Sequence, residues 1–195
     1  MRIIAGRYRS RLFEAPPGLG TRPTSDRLRE TLFNVLAPHI EGAAFADFYA
    51  GSGAAGLEAL SRGAKRVIFV EQAPRALKVL RANLESLGID SGFRIYPESV
   101  GAFLRSAPKA NPNPERYEVV FLDPPYKSAR EYVATLGFLG GAATSVLAPG
   151  ALVIAEHRRK EPLKERYGSL ERTRLLEQGD AALSFYALAA VPHRS

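Results

Sequence analysis

From residue 44 onward the chain alternates between two hydrophobic rhythms. Short, mostly apolar runs rich in Val, Ile and Phe occupy residues 44–50, 66–71, 93–97, 117–123 and 151–156, and each reads as a buried strand. Between them, at about residues 53–62, 74–87, 99–106 and 129–139, apolar positions recur three and four apart, the spacing of one helical face. The second of these carries the stripe Leu77, Leu80, Leu84 and Leu87. The alternation implies βαβ crossovers and an α/β fold: a doubly wound, mostly parallel sheet with helices on both faces. Two further strand-like runs, around 170–176 and 181–191, are separated by EQGD and read as an antiparallel hairpin closing one edge.

Upstream the pattern differs. Leu28, Thr31, Leu32, Val35 and Leu36 form one helical stripe from residue 25, with Thr24, Ser25 or Asp26 available as cap and Pro38 expected just beyond the end. Residues 2–13 are short and β-like, with a turn at Ala5-Gly6-Arg7, and the breaker-rich EAPPGLGTRPT follows as a connector. Residues 1–24 are therefore expected to form a small N-terminal β extension, and residues 25–195 the main domain. A chain of 195 residues is one ordinary domain able to bury about 70% of its unfolded surface.

Composition narrows the chemistry. With no Cys and three scattered His, neither a disulfide framework nor a Cys/His zinc site is expected, and a reducing cytoplasm is the simplest home. The apolar stretch of residues 181–192 falls well short of the roughly 20 residues that span a bilayer, and the N-terminus lacks a secretory apolar core, so no membrane partner is expected. The net charge of +7 is unevenly spread: residues 1–29 hold seven arginines against Glu14 and Asp26. Arginine's planar fork suits phosphate oxygens, so Arg2, Arg7, Arg9, Arg11 and Arg22 suggest an arm that faces nucleic acid. The basic run His157-Arg158-Arg159-Lys160 reads as a solvated loop, with a second RNA contact as the alternative.

The first crossover carries ADFYAGSGAAGLEAL, in which Gly51, Gly53 and Gly56 fit a G-x-G-x-x-G turn between strand and helix. Glu71 closes the next strand, where a carboxylate can accept hydrogen bonds from a ribose diol. These features suit a dinucleotide, whose pyrophosphate would lie on the helix N-terminus, and equally S-adenosylmethionine, which has no phosphate but brings an ammonium and a sulfonium. Asp47 is placed to hold the cationic methionine end.

The fourth strand ends in VVFLDPPY, residues 119–126. Pro124 and Pro125 cannot donate amide hydrogens, so the strand stops at Asp123, at the carboxyl edge where open parallel sheets bind ligands. A nicotinamide enzyme has no need of such a corner. Methyl transfer to an exocyclic base amine does need one, because that nitrogen's lone pair is delocalised until acceptors grip its N–H groups. Asp123 and the Pro124 carbonyl can supply those acceptors, and Tyr126 offers a ring for an unstacked base. With an ordinary pKa of about 3.9, Asp123 would be too weak to deprotonate the neutral amine, but it could take the proton after transfer.

RIIAGRYRSR at 2–11, RPTSDRLRETLFNVL at 22–36, DFYAGSGAAGLEALSRGA at 47–64 and FLDPPY at 121–126 occur in this order. Together they resemble the RsmD family of guanine-N2 methyltransferases of bacterial small-subunit ribosomal RNA, from Arg2 to about Tyr186. The resemblance implies a seven-stranded, Rossmann-like methyltransferase sheet, S-adenosylmethionine as methyl donor, and an assembling small ribosomal subunit as substrate. It further implies that Asp47, Gly51 and Gly53 line the methionine end, that Glu71 takes the ribose, and that residues 123–126 hold the target guanine. Arg22 and Thr24 would lie across the mouth of the site. The position that often carries Asp or Asn beside the adenine is Ser99 here, with neighbouring Glu98 or backbone and apolar contacts as substitutes. A DNA or protein-amide methyltransferase and a non-catalytic RNA-binding or dinucleotide-binding module are the alternatives.

Overall fold

The computed structural model describes residues 1–15, 23–106, 116–124 and 129–189, without the side chains of residues 23–25. The Thr24 and Ser25 side chains, Tyr126 and Arg22 therefore lie outside the description. The parallel core comprises β1 (Ala44–Phe48), β2 (Arg66–Val70), β3 (Phe93–Tyr96), β4 (Tyr117–Leu122) and β5 (Leu147–Arg158). An antiparallel end follows, made of β6 (Arg166–Tyr167), β7 (Leu170–Gln178) and β8 (Ala181–Leu188). The order across the sheet is β3-β2-β1-β4-β5-β8-β7-β6, so the expected hairpin is present and β8 inserts between β5 and β7. Among the described residues the sheet has eight strands rather than seven because the two-residue β6 pairs with β7 at the edge, a length too short to leave a hydrophobic rhythm.

The helices are α1 (Pro23–Ile40), α2 (Ala54–Ser61), α3 (Pro74–Ser86), α4 (Val100–Ser106) and α5 (Ala129–Leu139). Strand alternation divides the core into two layers. Phe45, Phe69, Val119 and Phe121 pack with Leu32, Phe33, Leu57, Leu80 and Leu84 of α1 to α3. Phe48, Val70, Val120 and Leu122 pack with Phe103, Leu136 and Leu139 of α4 and α5. All four residues of VVFL are buried, two on each face, as a doubly covered strand requires.

Two N-terminal expectations change. The first helix does not end before Pro38 but runs through it to Ile40. Proline there removes one amide donor in the last turn, and burial of Ile40 in the core holds that turn in place. The β-like segment is a single bridge, Arg2 to Leu12, around a loop that turns at Gly6 with φ of 83°. Backbone bonds close the loop on itself, Ile3 N–H to the Arg11 carbonyl at 3.0 Å, Ser10 N–H to the Ile3 carbonyl at 2.9 Å and Phe13 N–H to the Met1 carbonyl at 3.0 Å, and α2 side chains fasten it to the domain. Ile4 and Ala5 donate their amides to Glu58 of α2 at 2.8 and 3.0 Å, and Tyr8 N–H donates to Ser61 Oγ at 3.0 Å. Ile3 and Phe13 are buried in the same core layer as α1 to α3, so the arm is part of that layer.

Candidate functional site

Three carboxylates gather where β2, β1 and β4 end side by side. Asp47 pairs in register with Phe69 of β2 and Phe121 of β4, and Glu71 and Asp123 each lie two residues beyond those partners. By strand alternation all three leave the sheet toward α2. Asp47 is buried, and its Oδ2 accepts the Gly56 N–H at 2.8 Å in the first turn of α2. Burial pushes its carboxyl well above the usual carboxylate range, the Gly56 bond opposes this, and the nearby Asp123 and Glu71 add to it. Asp123 keeps part of its surface open, yet loss of water around its carboxyl pushes it up to about 7. This departs from the weak base expected of an ordinary aspartate. The result is a sheet edge with more negative charge than it can comfortably hold, suited to a cationic ligand.

The glycine loop crosses above these acids. Gly51 has φ of 57° and donates its N–H to Glu71 Oε2 at 2.9 Å, while Glu71 Oε1 accepts the Ala73 N–H at 2.7 Å. Glu71 thus braces the loop, and its oxygens keep further acceptor sites for hydroxyl groups. The three glycines serve different ends. A Cβ on Gly56 would collide with the Phe69 ring of β2, which makes that glycine necessary for helix–sheet packing, whereas Gly53 adopts φ of 84° and lies against Leu80 Cδ1 of α3. A Cβ on Gly51 would meet only the Tyr49 carbonyl oxygen at 3.9 Å, which leaves room for a ligand against the backbone.

Tyr49, between β1 and the loop, adopts a left-handed φ of 62°, unusual for a bulky residue. Its hydroxyl donates to Glu131 Oε2 at 2.8 Å and lies 2.7 Å from Thr135 Oγ1. Since the phenol has one proton, Thr135 must donate to it. Burial raises the phenol's pKa, which keeps that proton in place. Tyr49 therefore ties the glycine loop to α5, while the Asp123 N–H reaches the Phe48 carbonyl at 3.5 Å. Tyr49→Phe is expected to leave stability within about 1–2 kcal/mol of wild type. Amide exchange in the glycine loop should accelerate more than in β1, which hydrogen-exchange mass spectrometry checks, and unchanged loop exchange would mean that the tether adds nothing to the order of the loop.

Other sequence-derived candidates occupy varied positions. Pro124 is buried directly after Asp123. Ser99 caps α4, its Oγ accepting the Ala102 N–H at 3.2 Å and its carbonyl the Phe103 N–H at 3.0 Å. Arg2, Arg7 and Arg9 are exposed on the arm. Arg11 is engaged: its guanidinium donates to the Leu87 and Ser86 carbonyls at 2.7 and 3.1 Å, closing the C-terminal end of α3. Sequence reasoning missed Tyr49, Glu58 and Asn83. Glu58 offered a signal, a lone acid in the otherwise small and apolar AAGLEALS, and it is fully buried.

The family model described as conserved hypothetical protein 95 matches residues 1–187, which takes in both the arm and the sheet. YlbH of Bacillus subtilis strain 168 is 33% identical over 186 residues, 95% of this chain and 98% of that protein. Ribosomal RNA small subunit methyltransferase D of Haemophilus influenzae strain Rd is 38% identical over 166 residues, covering 84% of this chain and 81% of the relative. The solved structure of yhhF from Escherichia coli superposes with a TM-score of 0.81 at 32% identity, covering 98% of this chain and 99% of that one. A chain matched along nearly its whole length, with its acids and glycines at the carboxyl edge of such a sheet, belongs to the conserved hypothetical protein 95 family, the RsmD methyltransferases.

Proposed function

We propose that this protein methylates the exocyclic N2 amine of a guanine in small-subunit ribosomal RNA, with S-adenosylmethionine as donor. The observation that carries the reading is the gathering of Asp47, Glu71 and Asp123 at adjoining strand ends, with Asp123 poised near neutrality. Bound S-adenosylmethionine supplies an electrophilic methyl on a sulfonium beside a free ammonium. The residues present fit it: Asp47 and Asp123 gain from a cation, Gly51 leaves space for it, and Glu71 has acceptor sites left for the ribose hydroxyls. Ser99 orders the turn at the end of β3 through its cap.

Asp123 accepts one N–H of the target amine and the Pro124 carbonyl accepts the other, which localises the nitrogen lone pair toward the methyl group. As the N–C bond forms, the C–S bond breaks and its electron pair leaves with the thioether. Asp123, titrating near 7, then takes the proton that the methylated nitrogen sheds and passes it to water. Tyr126 supplies the ring on which the extruded base rests. Residues 1–24 serve as the RNA-facing extension of a methyltransferase domain that begins at residue 25.

Labelled methyl transfer onto unmethylated small subunits, followed by mapping, tests the assignment. Label on a guanine N2 supports it, label on another base amine replaces it, and S-adenosylhomocysteine binding without transfer to any RNA makes the chain a binding module. Arg2, Arg7 and Arg9 have exposed side chains for phosphate oxygens, whereas Arg22 is expected to act at the mouth of the site. Replacing those three with Gln should weaken RNA binding and lower the slope of log affinity against log salt by about 2. Arg11→Gln should instead act mainly on stability, and an unaltered slope in the triple variant would remove the arm from the interface.

A further inference from the structure

Asn83 sits on the buried face of α3, one turn beyond Leu80 and beside Leu84, where the helical stripe calls for an apolar residue. Asn is a mediocre helix former, and a buried amide is costly unless its groups are paired. Here they are paired, and none of its partners belongs to α3. Its Oδ1 accepts the Glu14 N–H at 2.8 Å. Its Nδ2 donates to the Glu14 carbonyl and to the Ser52 carbonyl, both at 3.0 Å. Glu14 is the far end of the arginine-bearing arm, and Ser52 is the central residue of the glycine loop, between Gly51 and Gly53. One side-chain amide thus joins the backbone of the arm to the backbone of the cofactor loop.

At its other end the arm is held by Glu58 and Ser61 of α2, the helix that the glycine loop begins. The loop is therefore attached to the arm through both α2 and Asn83. From this geometry we infer that Asn83 is a positioning residue that couples RNA docking on the arm to cofactor binding in the loop. The inference rests on the proposed function. RNA that immobilises the arm through Arg2, Arg7 and Arg9 also immobilises, through Asn83, the Ser52 peptide. The cofactor then meets a loop whose ordering cost has been met in part, and the coupling is positive. By linkage the cofactor tightens RNA binding by the same factor.

The test is a pair of affinities for S-adenosylhomocysteine, measured by calorimetry on the full chain with and without an unmethylated small-subunit ribosomal RNA transcript. Wild type is expected to bind S-adenosylhomocysteine at least about 5-fold more tightly with RNA present, a typical coupling. Asn83→Ala should reduce the ratio to within about 2-fold of unity, and thermal melting establishes that it is folded. Glu14→Pro deletes the amide that Oδ1 accepts, along with the exposed Glu14 carboxylate, and leaves Asn83 able to bond the Ser52 carbonyl. It should reduce the ratio as well while keeping the RNA-free affinity of wild type, a split that a purely structural role would not produce. Should Asn83→Ala fail to fold, Glu14→Pro decides alone. A wild-type ratio of unity overturns the coupling, as does a Glu14→Pro chain with the wild-type ratio. A wild-type chain that binds only one of the two probes overturns the proposed function, and this inference with it.

Discussion

Asp123→Asn is expected to make the cofactor-free protein more stable at pH 8 while reducing methyl transfer by about 10²–10⁴-fold. An Asp that titrates near 7 when folded and near 4 when unfolded holds its proton more tightly in the native state. Its contribution to stability is therefore complete below about pH 4 and is lost as pH rises through about 7. Above that window the native protein keeps a carboxylate short of water beside Asp47, and Asn removes that burden. The expected gain at pH 8 is about 1–2 kcal/mol, allowing for the solvent that still reaches the residue, or roughly 4 °C in Tm for a chain of this size. At pH 5 the gain should be smaller. Calorimetric melts of both proteins at the two pH values check the sign, and a destabilised variant at pH 8 would mean that the carboxylate is well solvated or already paired. The same carboxylate predicts that S-adenosylmethionine binding strengthens with pH through about 7 in wild type, and less so in the variant.

The second large effect lies away from the chemistry. Glu58→Ala should cost about 3–5 kcal/mol, since it removes a buried, multiply bonded acid and leaves its partners unpaired. Glu58 accepts the Ile4 and Ala5 amides, pairs with Arg62 Nε at 2.7 Å, and lies 4.0 Å from Arg29 Nε. Without it the two arm amides lose their acceptor. Arg29, already pushed down by burial and holding Asp26 and the Arg2 carbonyl, loses its second negative neighbour. The melting temperature should fall on the order of 10 °C. Amide exchange at residues 4 and 5 should accelerate more than at the β1 and β4 amides, because the arm is released first. A loss below about 1 kcal/mol would mean that the arm finds other acceptors at little cost.

Both effects depend on groups whose partners are remote in the chain, and this separates what could be read early from what could not. The alternation of apolar runs and helical stripes follows from periodicity, which is local, so the strands and helices from residue 44 onward were legible apart from the two-residue β6. So were the glycine turn, Glu71 directly after β2 and, to within one residue, the stop of the fourth strand, because glycine, proline and charge act on the residues beside them. The end of α1 was misplaced, since whether a helix continues through Pro38 is decided by burial of Ile40 and not by the proline alone. Composition marked seven arginines near the N-terminus but could not tell Arg11, which closes α3, from Arg2, Arg7 and Arg9, which face outward.

The order of residues by itself determined that this is a parallel α/β protein with a glycine-rich first crossover and an acidic corner after its fourth strand. The tertiary structure decided that Asp123 is pushed up to about 7, that Tyr49 ties the loop to α5, that Glu58 fastens a basic arm to α2, and that Asn83 of α3 joins that arm to the glycine loop. Periodicity and turn chemistry are written in neighbouring residues, whereas desolvation and hydrogen bonding across dozens of positions arise only when folding removes water and brings the partners together.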